Sequence, residues 1–283
     1  MMELRGKAVA ESITAAAAES IKELKQKGVS PKLAVIRVGK KPDDLAYERG
    51  ILKRFGDAGC DHEVFELDIA CSQKELDDVF DRCNSDKDIH GILVFRPLPK
   101  NLSDEHMRKT INPDKDIDAM GTLNQASLYA GDPSAYAPCT AKAVMELIRF
   151  YDIPLTGKRV TVVGRSLVIG KPVALMLTNA NATVTVCHTK TQDLASELKR
   201  ADIIVSAAGA AKMIKADMVG EGQIIIDVGV DTDDEGKMSG DVDYAAVAPK
   251  ADMITPVPGG VGAVTTSILL SYTVEGAKRT LNG

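Results

Sequence analysis

The sequence predicts a two-domain α/β protein, with an N-terminal α/β domain followed by a C-terminal dinucleotide-binding domain of the Rossmann type. Three observations support this fold class. A length of 283 residues suits two domains. Short β-rich runs alternate with helical periodicity in two successive series, and each series is typical of a parallel sheet covered by helices. A glycine-containing turn that begins at Gly164 joins the first strand of the second series to a helix.

The first series fills the N-terminal half of the chain. Its elements are defined by apolar residues at helical or strand spacing and by glycine or proline at their ends. The predicted strands are 32–38, 64–68 and 89–94, and the predicted helices are 7–28, 43–58, 73–84 and 140–151. We expect the stretch from Asn112 to Pro138 to be rich in loops.

The second series is more regular. It opens on the apolar run Arg159–Val163 and closes on a helix in the C-terminal tail. The predicted strands are 159–163, 183–187, 203–206, 224–228 and 253–255, and the predicted helices are 171–179, 191–200 and 265–279. The order of these elements again predicts a parallel sheet with helical crossovers.

The composition excludes several classes of function. A net charge of −5 provides no basic field for nucleic acid. No apolar run reaches the length of a membrane span, and the Ala-rich N-terminal segment is amphipathic, so we expect a cytoplasmic protein without membrane contact. The five cysteines have neither disulfide nor metal spacing, which predicts reduced thiols and no metal site.

The turn after the predicted strand 159–163 has the chemistry of a phosphate site. Gly164 permits the tight turn, the small Ser166 lets the backbone approach a pyrophosphate, and Gly170 allows the helix to pack closely on the strand. The helix N-terminus then offers free N–H groups to the phosphates. The spacing departs from G-x-G-x-x-G by one serine and one additional residue, so the alternative is a turn in which the glycines have only a structural role.

The end of the predicted strand 183–187 indicates which dinucleotide is bound. A Rossmann site for NAD usually places an Asp or Glu there to hold the ribose 2′-hydroxyl. Here His188, Thr189 and Lys190 follow the strand, and none of them is acidic. Arg165 and Thr189 are suited to accept a 2′-phosphate instead, whereas Lys190 is equally well explained as a solvated turn residue. We therefore expect NADP in preference to NAD.

Several motifs match one family in order and in spacing. They are Val38–Pro42 with Tyr47, Gly91–Val94 before Pro97–Pro99, Lys115–Asp118, Pro138–Thr140, the Gly164–Pro172 turn and Ile254–Gly262. The run Thr-Pro-Val-Pro-Gly-Gly-Val-Gly at residues 255–262 is the most specific of them. On these residues the chain resembles the methylenetetrahydrofolate dehydrogenase/cyclohydrolase family, the FolD-type enzymes.

The resemblance implies a domain organisation and an assembly. A folate-binding catalytic domain is expected over residues 1–139, with the C-terminal helix 265–283 packing back on it. An NAD(P)-binding Rossmann domain is expected over residues 140–264, with a cleft for folate between the two. The resemblance also implies a homodimer formed through the Rossmann domains.

The resemblance also assigns ligand contacts. Tyr47 would lie beside the aminobenzoyl ring of the folate, and the Asp118 carboxylate would accept the adjacent N–H and amino group of the pterin. Without the resemblance, a helical tyrosine indicates packing and such an aspartate indicates a turn. The loop at 256–262 would add Pro258, Gly259 and Gly260 to the folate site. The residues expected to contact the dinucleotide are Gly164, Arg165, Ser166, Gly170, His188, Thr189, Pro256, Gly259 and Gly260.

The chain departs from the family at three polar positions. The family pattern has a lysine four residues after the tyrosine, where this chain has Ile51. The partner of that lysine, a glutamine after the Gly-Ile-Leu-Val strand, is here Phe95, and a serine three residues before the tyrosine is Asp44. Lys53 and Arg96 are expected to face other directions, although a loop could redirect Arg96. An arginine also does not deprotonate near neutral pH.

The missing lysine affects the two reactions of the family differently. Hydride loss from the N–CH2–N carbon requires no proton transfer, whereas hydrolysis of the methenyl product does. We therefore expect a 5,10-methylenetetrahydrofolate dehydrogenase with weak or absent cyclohydrolase activity, in which Phe95 packs against the pterin and nicotinamide. The alternatives are a bifunctional enzyme in which Arg96 or Lys53 supplies the missing group, and a non-catalytic folate-binding paralogue.

Overall fold

The structure, a computed structural model, describes residues 1–232 and 236–281. Residues 282 and 283 of the predicted C-terminal helix therefore lie outside the described residues. The strands are β1 (Met2–Glu3), β2 (Lys32–Val38), β3 (Asp61–Leu67), β4 (Gly91–Val94), β5 (Arg159–Val163), β6 (Thr183–Cys187), β7 (Ile203–Ser206), β8 (Gln223–Asp227), β9 (Asp231–Thr232), β10 (Met238–Ser239) and β11 (Ala251–Ile254).

The helices alternate with these strands along the chain. They are α1 (Gly6–Gln26), α2 (Pro42–Asp57), α3 (Gln73–Ser85), α4 (Glu105–Thr110), α5 (Thr122–Ala130), α6 (Cys139–Phe150), α7 (Gly170–Asn179), α8 (Leu194–Lys199), α9 (Tyr244–Val247) and α10 (Thr265–Arg279). The described residues form two compact units, one from residues 11–139 and 266–281, the other from residues 1–10 and 140–265. We call them the catalytic unit and the nucleotide unit.

The catalytic unit is built on a three-stranded parallel sheet in the order β3-β2-β4. The central strand β2 is almost entirely apolar and buried, as expected for a parallel strand covered on both faces. Helix α3 begins with a complete capping box between Ser72 and Glu75. It packs Leu76 and Phe80 into a core that also includes Ile36 of β2.

The C-terminal helix α10 belongs to the catalytic unit from residue 266 onward. A Cβ atom added at Gly91, the first residue of β4, would lie 2.7 Å from Thr273 Oγ1 of this helix, so helix and strand pack with no space for a side chain. Tyr272 of α10 stacks on Tyr136 at a centroid distance of 4.5 Å. The Arg279 guanidinium, also on α10, lies over the Tyr136 ring at 4.4 Å from its centroid. These contacts fix the end of the chain on this unit.

The nucleotide unit contains a six-stranded parallel sheet in the order β1-β11-β8-β7-β5-β6. The chain passes from β5 to the edge strand β6 and then crosses to β7 on the opposite side of β5. The strand order therefore reverses between β5 and β7, and ligands of open α/β sheets bind outside the carboxyl ends of strands at such a point. The first residues of the chain complete the sheet, because Met2 pairs with Met253.

The prediction of loops from Asn112 to Pro138 was wrong in part, because α5 lies within this stretch. The helix is only nine residues long and buries only Asn124 and Leu128, so its sequence carries little helical periodicity. The predicted helix 191–200 is shorter than expected, since α8 begins only after Asp193. The short elements α4, α9, β1, β9 and β10 were not predicted.

Three chemical features of the described residues bear on function. No helix within the described ranges is both long enough and apolar enough to cross a membrane. Among the described residues there is also no group of three or more His, Cys, Asp or Glu side chains arranged to hold a metal ion. All five cysteines are free and buried.

Candidate active site

The glycine turn of the nucleotide unit lies where β5 passes into α7. Gly164 has a φ of +119°, and a Cβ atom added there would collide with the carbonyl oxygen of Ala207. A Cβ atom at Gly170 would collide with the backbone of Gly164. Both glycines are therefore required by close backbone approach, at the point where the strand order reverses. Arg165, between them, is exposed.

Ser166 has a role in this turn that the sequence did not indicate. Its Oγ accepts hydrogen bonds from the N–H groups of Ile169, at 3.1 Å, and Gly170, at 3.4 Å. The serine therefore caps α7, which has no hydrogen bond from a side chain at its own N-cap residue, Ile169. The Ser166 carbonyl also accepts the Lys171 N–H at 3.0 Å, and the Val173 N–H is bonded to the Ile169 carbonyl at 2.9 Å. The expectation of free N–H groups at the start of α7 was therefore wrong for residues 170 to 173, because these groups are already used within the turn.

The end of β6 carries no carboxylate. His188 Nδ1 accepts the Lys190 N–H at 3.1 Å, and the His188 N–H is donated to Thr191 Oγ1 at 2.8 Å. Thr189 and Lys190 are exposed on this closed turn. The first acidic residue beyond it is Asp193, whose side chain accepts the Ser196 N–H at 3.1 Å and so caps α8. None of the described residues that directly follow β6, from 188 to 192, is an acid that could hold a ribose 2′-hydroxyl.

The loop after β11 is held by the nucleotide unit itself. Thr255 Oγ1 accepts the N–H of Asp227, the last residue of β8, at 2.7 Å. Further along, the Gly259 carbonyl accepts the Gly6 N–H at 2.9 Å. Pro258 and Gly259 are exposed, Pro256 is half-buried, and Gly260 is buried. The four residues predicted to contact ligands in this loop thus lie together between two anchored ends.

In the catalytic unit, Tyr47 and Phe95 are neighbours. Their ring centroids are 5.7 Å apart, with an interplanar angle of 40°. Tyr47 is 42% exposed, whereas Phe95 is buried and its N–H extends the β2–β4 ladder by bonding to the Ile36 carbonyl at 2.9 Å. Ile51 follows Tyr47 by one helical turn and is 0% exposed. The position at which the family has its lysine is therefore part of the apolar interior.

Asp118 lies at the centre of a small polar cluster. Its Oδ1 accepts the Cys139 N–H at 3.2 Å, and its Oδ2 accepts Arg96 Nη2 at 3.2 Å. Withdrawal from water raises the pKa of the Asp118 carboxyl, and the Arg96 charge opposes that shift. Arg96 also faces Asp104 at 3.8 Å. Arg96, expected to face the other way unless a loop redirected it, is redirected toward Asp118, because β4 ends at Val94 and strand alternation no longer governs the following residues.

The other charged residues of α2 close to Tyr47 and Ile51 in sequence are placed differently. Lys53 is on the exposed side of α2, with its side chain 76% exposed, and pairs with Asp57 at 2.6 Å. Arg49 is also exposed. Asp44 lies in the first turn of α2, where a carboxylate favours the positive end of the helix dipole. None of these three side chains lies in the apolar interior that holds Ile51.

The Lys115–Asp118 motif combines two structural residues with one candidate ligand. Lys115 Nζ donates to the Asn84 and Asp86 carbonyls at the end of α3, at 2.9 and 2.5 Å. The buried Asp116 carboxylate accepts three hydrogen bonds, from the Met120 and Gly121 N–H groups and the Asn124 amide, at 2.9 to 3.0 Å. Burial raises the pKa of Asp116 to about 6. The two structural residues hold the turn that presents Asp118.

Sequence reasoning also missed a buried ion pair under α2. Arg37 Nε donates to Glu48 Oε2 at 2.7 Å, and Arg37 Nη2 donates to Glu66 at 2.9 Å. Arg37 belongs to β2 and Glu48 follows Tyr47 directly, so the pair fixes the helix turn that carries the tyrosine. The sequence signal was Arg37, a charged residue between the apolar residues Ile36 and Val38 in the interior of the strand.

Comparison with known proteins agrees with this arrangement. The family model described as "Tetrahydrofolate dehydrogenase/cyclohydrolase, catalytic domain" matches residues 4–118. The model described as "Tetrahydrofolate dehydrogenase/cyclohydrolase, NAD(P)-binding domain" matches residues 138–281. The chain belongs to the tetrahydrofolate dehydrogenase/cyclohydrolase family. The two-domain α/β fold predicted from the sequence, with its C-terminal Rossmann-type domain, is confirmed.

Individual members of this family are similar over nearly the whole chain. The "Bifunctional protein FolD" of Carboxydothermus hydrogenoformans is 47% identical over 282 residues, which are 99% of this chain and 98% of that protein. The crystal structure of the bifunctional FolD enzyme from Campylobacter jejuni has a TM-score of 0.96 and 40% identity, with 99% of each chain covered. The Trypanosoma brucei enzyme, solved with NADP and an inhibitor, has a TM-score of 0.94 and 36% identity and covers 100% of this chain and 99% of its own.

Proposed function

We propose that this family member oxidises 5,10-methylenetetrahydrofolate to 5,10-methenyltetrahydrofolate and that its cyclohydrolase activity is weak or absent. Tyr47 and Asp118 bind the folate, and the Gly164–Gly170 turn binds the dinucleotide. The observation that carries the proposal is the apolar environment of position 51, where Ile51 is fully buried next to the Tyr47 turn. Family membership supports the oxidoreductase class of the proposal.

The residues of the nucleotide unit fit a dinucleotide. The backbone of the Gly164 turn occupies space that a Cβ atom would fill, and the α7 N-terminus next to it favours an anion. A bound nicotinamide ring supplies the acceptor for the hydride. We propose NADP over NAD, because β6 ends without a carboxylate and Arg165 is exposed on the turn after β5 and available for a 2′-phosphate. That turn adjoins the end of β6, because the Gly164 N–H bonds to the Cys187 carbonyl at 2.8 Å.

The chain's own residues are proposed to orient the substrate. Asp118 uses one lone pair of each carboxylate oxygen on Cys139 and Arg96, which leaves acceptor capacity for the pterin edge. Tyr47, exposed above Phe95, provides an aromatic surface for the aminobenzoyl ring. Loss of hydride leaves a cation shared by two nitrogens and needs no proton transfer, so orientation and an apolar environment are sufficient for this step.

Hydrolysis of the methenyl product makes a different demand. Water must add to the carbon and a nitrogen must then leave as an amine, and both events require proton transfer. Ile51 and Phe95 do not exchange protons, and Lys53 is bonded to Asp57 at the surface. Arg96 does lie beside Asp118, but a guanidinium does not release its proton near neutral pH. A positioned acid or base typically contributes about 10²–10⁴-fold to such a step.

The second candidate is an enzyme with both activities. The names of the relatives favour it, since proteins 46–47% identical to this chain are called bifunctional. The place of Arg96 beside Asp118 also favours it, because a fixed cation there is able to orient water or stabilise a developing negative charge. The comparisons therefore support this candidate better than the monofunctional proposal, which depends on the side chains at positions 51 and 95.

A paired assay separates the two candidates. Purified protein is supplied with methylenetetrahydrofolate and NADP or NAD, and the rise of methenyl absorbance and its decay are followed against the uncatalysed background. The Carboxydothermus hydrogenoformans enzyme serves as the comparison for hydrolysis. We expect NADP-dependent formation of methenyltetrahydrofolate and decay at the background rate. Enzyme-dependent decay comparable to that of the relative would refute the monofunctional proposal. Absence of dehydrogenase activity would refute the proposal that this chain is a methylenetetrahydrofolate dehydrogenase.

Restoring the family side chains tests the cause. Ile51→Lys alone places an ammonium in the fully buried position of Ile51, and Phe95, at the family's partner position, offers it no hydrogen bond. Such burial disfavours the charged form and destabilises the fold. The double variant Ile51→Lys with Phe95→Gln provides that partner. We expect more hydrolysis from the double variant than from either single variant. Lys53→Ala is the matched control, and a loss of hydrolysis in that variant would identify Lys53 as the group in use.

Two further features are part of the proposal. We place the domain limits at 1–139 together with the helix from 265, and at 140–264, except that residues 1–10, which include β1, belong with the nucleotide unit. We also propose a homodimer formed through the nucleotide units. The edge strand β6 supports this, because Val186 is 40% exposed on a strand with one unpaired side. Light scattering of the purified protein measures the assembly, and a monomer at micromolar concentration would contradict it.

A further inference from the structure

Two buried carboxylates lie behind the carboxyl ends of the central strands of the nucleotide unit. Asp227 is the last residue of β8 and is 3% exposed, and Asp241, which follows β10, is 0% exposed. Neither was singled out by the sequence, and neither has a part in the chemistry described above. Burying a carboxylate is costly unless hydrogen bonds compensate it, so their partners indicate what they do.

Asp241 holds the loop that follows β7. Its Oδ2 accepts Ser206 Oγ and the Ala208 N–H, both at 2.7 Å, and its Oδ1 accepts the Ala210 N–H at 2.8 Å. Three donors from five consecutive residues thus converge on one carboxylate. Gly209, between the two bonded alanines, has a φ of +64° and open space where a side chain would be.

This loop lies at the point where the strand order reverses. The Ala207 N–H bonds to the Val163 carbonyl at 2.7 Å, and the Ala207 carbonyl is the group that a Cβ atom at Gly164 would strike. The loop after β7 and the glycine turn after β5 are therefore in direct contact. An open α/β sheet binds its dinucleotide in the crevice between two such loops.

Asp227 connects Asp241 to the third loop of this edge. Its carboxylate accepts the N–H groups of Gly229, Asp241 and Val242 at 2.8 to 3.1 Å. Its own N–H is donated to Thr255 Oγ1, at the start of the loop that contains Pro256 to Gly260. Burial, with the nearby Asp241 charge, raises the pKa of Asp227 to about 7.

We propose that Asp241 is a positioning residue for the dinucleotide, acting through the Ala207–Ala210 loop, and that Asp227 couples this loop to the one after Thr255. The inference rests on the proposed function of the nucleotide unit. Only an ionised or oxygen-rich side chain at position 241 satisfies all three donors at once. An amide has one acceptor oxygen, and its NH2 group would face an N–H or hydroxyl of the loop.

The test compares Asp241→Asn with Asp243→Asn. Asp243 is two residues away and its carboxylate pairs with Lys215 at 3.2 Å on the surface, so it provides the same chemical change outside the network. Ser206→Ala is a milder variant that removes one hydroxyl from Asp241 while keeping the carboxylate. The dissociation constant for NADPH is measured by fluorescence, together with KM for NADP, KM for methylenetetrahydrofolate and kcat.

We expect Asp241→Asn to raise the NADPH dissociation constant about tenfold or more and Ser206→Ala about threefold, in line with the loss of single hydrogen bonds. KM for methylenetetrahydrofolate should stay within about twofold in both, and Asp243→Asn should match the wild type. If Asp241→Asn does not fold, the NADPH dissociation constant of Ser206→Ala tests the inference instead. Unchanged NADPH binding in the folded variant, or equal changes for both ligands, would overturn the inference. Failure of the wild type to bind NADPH would instead refute the proposed function.

Discussion

Replacing Asp118 with asparagine removes the charge at the proposed pterin contact without changing the size of the side chain. In the wild type, the two oxygens offer about four lone-pair directions, and the protein uses two of them, for the Cys139 N–H and for Arg96. Asparagine keeps one oxygen and gains an NH2 group. That oxygen must serve the protein donors first, so at least one charge-assisted hydrogen bond to the pterin is lost.

The expected magnitude follows from that count. A hydrogen bond to a charged group contributes roughly 1.5–3 kcal/mol, which corresponds to a folate dissociation constant about 12–160 times higher at 25 °C. NADP binding should not change, because its predicted contacts are on the nucleotide unit. Isothermal titration with tetrahydrofolate measures the folate dissociation constant, and NADPH fluorescence measures the affinity for the dinucleotide.

Asp104→Asn is the matched control for this experiment. Asp104 is the other carboxylate facing Arg96, at 3.8 Å, so its loss changes the charge around the arginine without removing the predicted ligand contact. We expect less than about a threefold effect on folate affinity, because the pair is only half-buried and its charges are 3.8 Å apart. If Asp118→Asn binds tetrahydrofolate as tightly as the wild type, Asp118 is only a turn residue and the proposed folate contact is refuted.

Two further predictions concern the cofactor and the stability of the fold. Arg165→Ala should raise the dissociation constant for NADP about tenfold and that for NAD by less than about threefold, because only NADP carries a 2′-phosphate; equal losses would exclude that contact. Because the pKa of Asp116 is raised to about 6 in the folded protein from 3.8, its contribution to stability is complete below pH 4 and is lost as the pH rises to 6, by at most roughly 3 kcal/mol. Thermal unfolding between pH 4 and 7 measures this, and an identical pH dependence in Asp116→Asn would contradict it.

Much of the fold is predictable from sequence because the parallel strands are continuous apolar runs with Gly or Pro at their ends. β2, β5, β6, β7 and α10 have the predicted bounds. The elements that were missed are those whose stability comes from elsewhere in the chain. β1 is two residues long and exists because it pairs with β11, and α5 is held by the Asn124 bonds to Pro113 and Asp116. No local pattern encodes such contacts.

The candidate site was predictable only as a set of positions. The motifs indicated Tyr47, Asp118 and the glycine turn, but not the hydrogen bonds that orient them. Lys115 and Asp116 belong to the same motif as Asp118 and yet serve the backbone of α3 and of the turn at Met120. The direction of the Arg96 side chain could not be predicted because it depends on the residue at which β4 ends, Val94. Tertiary hydrogen bonds determine these roles, and a linear motif does not distinguish them.

The apolar character of position 51 is more than the absence of a lysine. The side chain at this position is fully buried, one turn after Tyr47. The same helix and β2 each bury one charged side chain, Glu48 and Arg37. These two side chains are already bonded to each other. An ammonium at position 51 would therefore find neither water nor a free carboxylate of this pair, and it would lose its charge or destabilise the unit. Hydride transfer has no need of that charge, so this unit is suited to the first reaction of the family whatever the rate of the second.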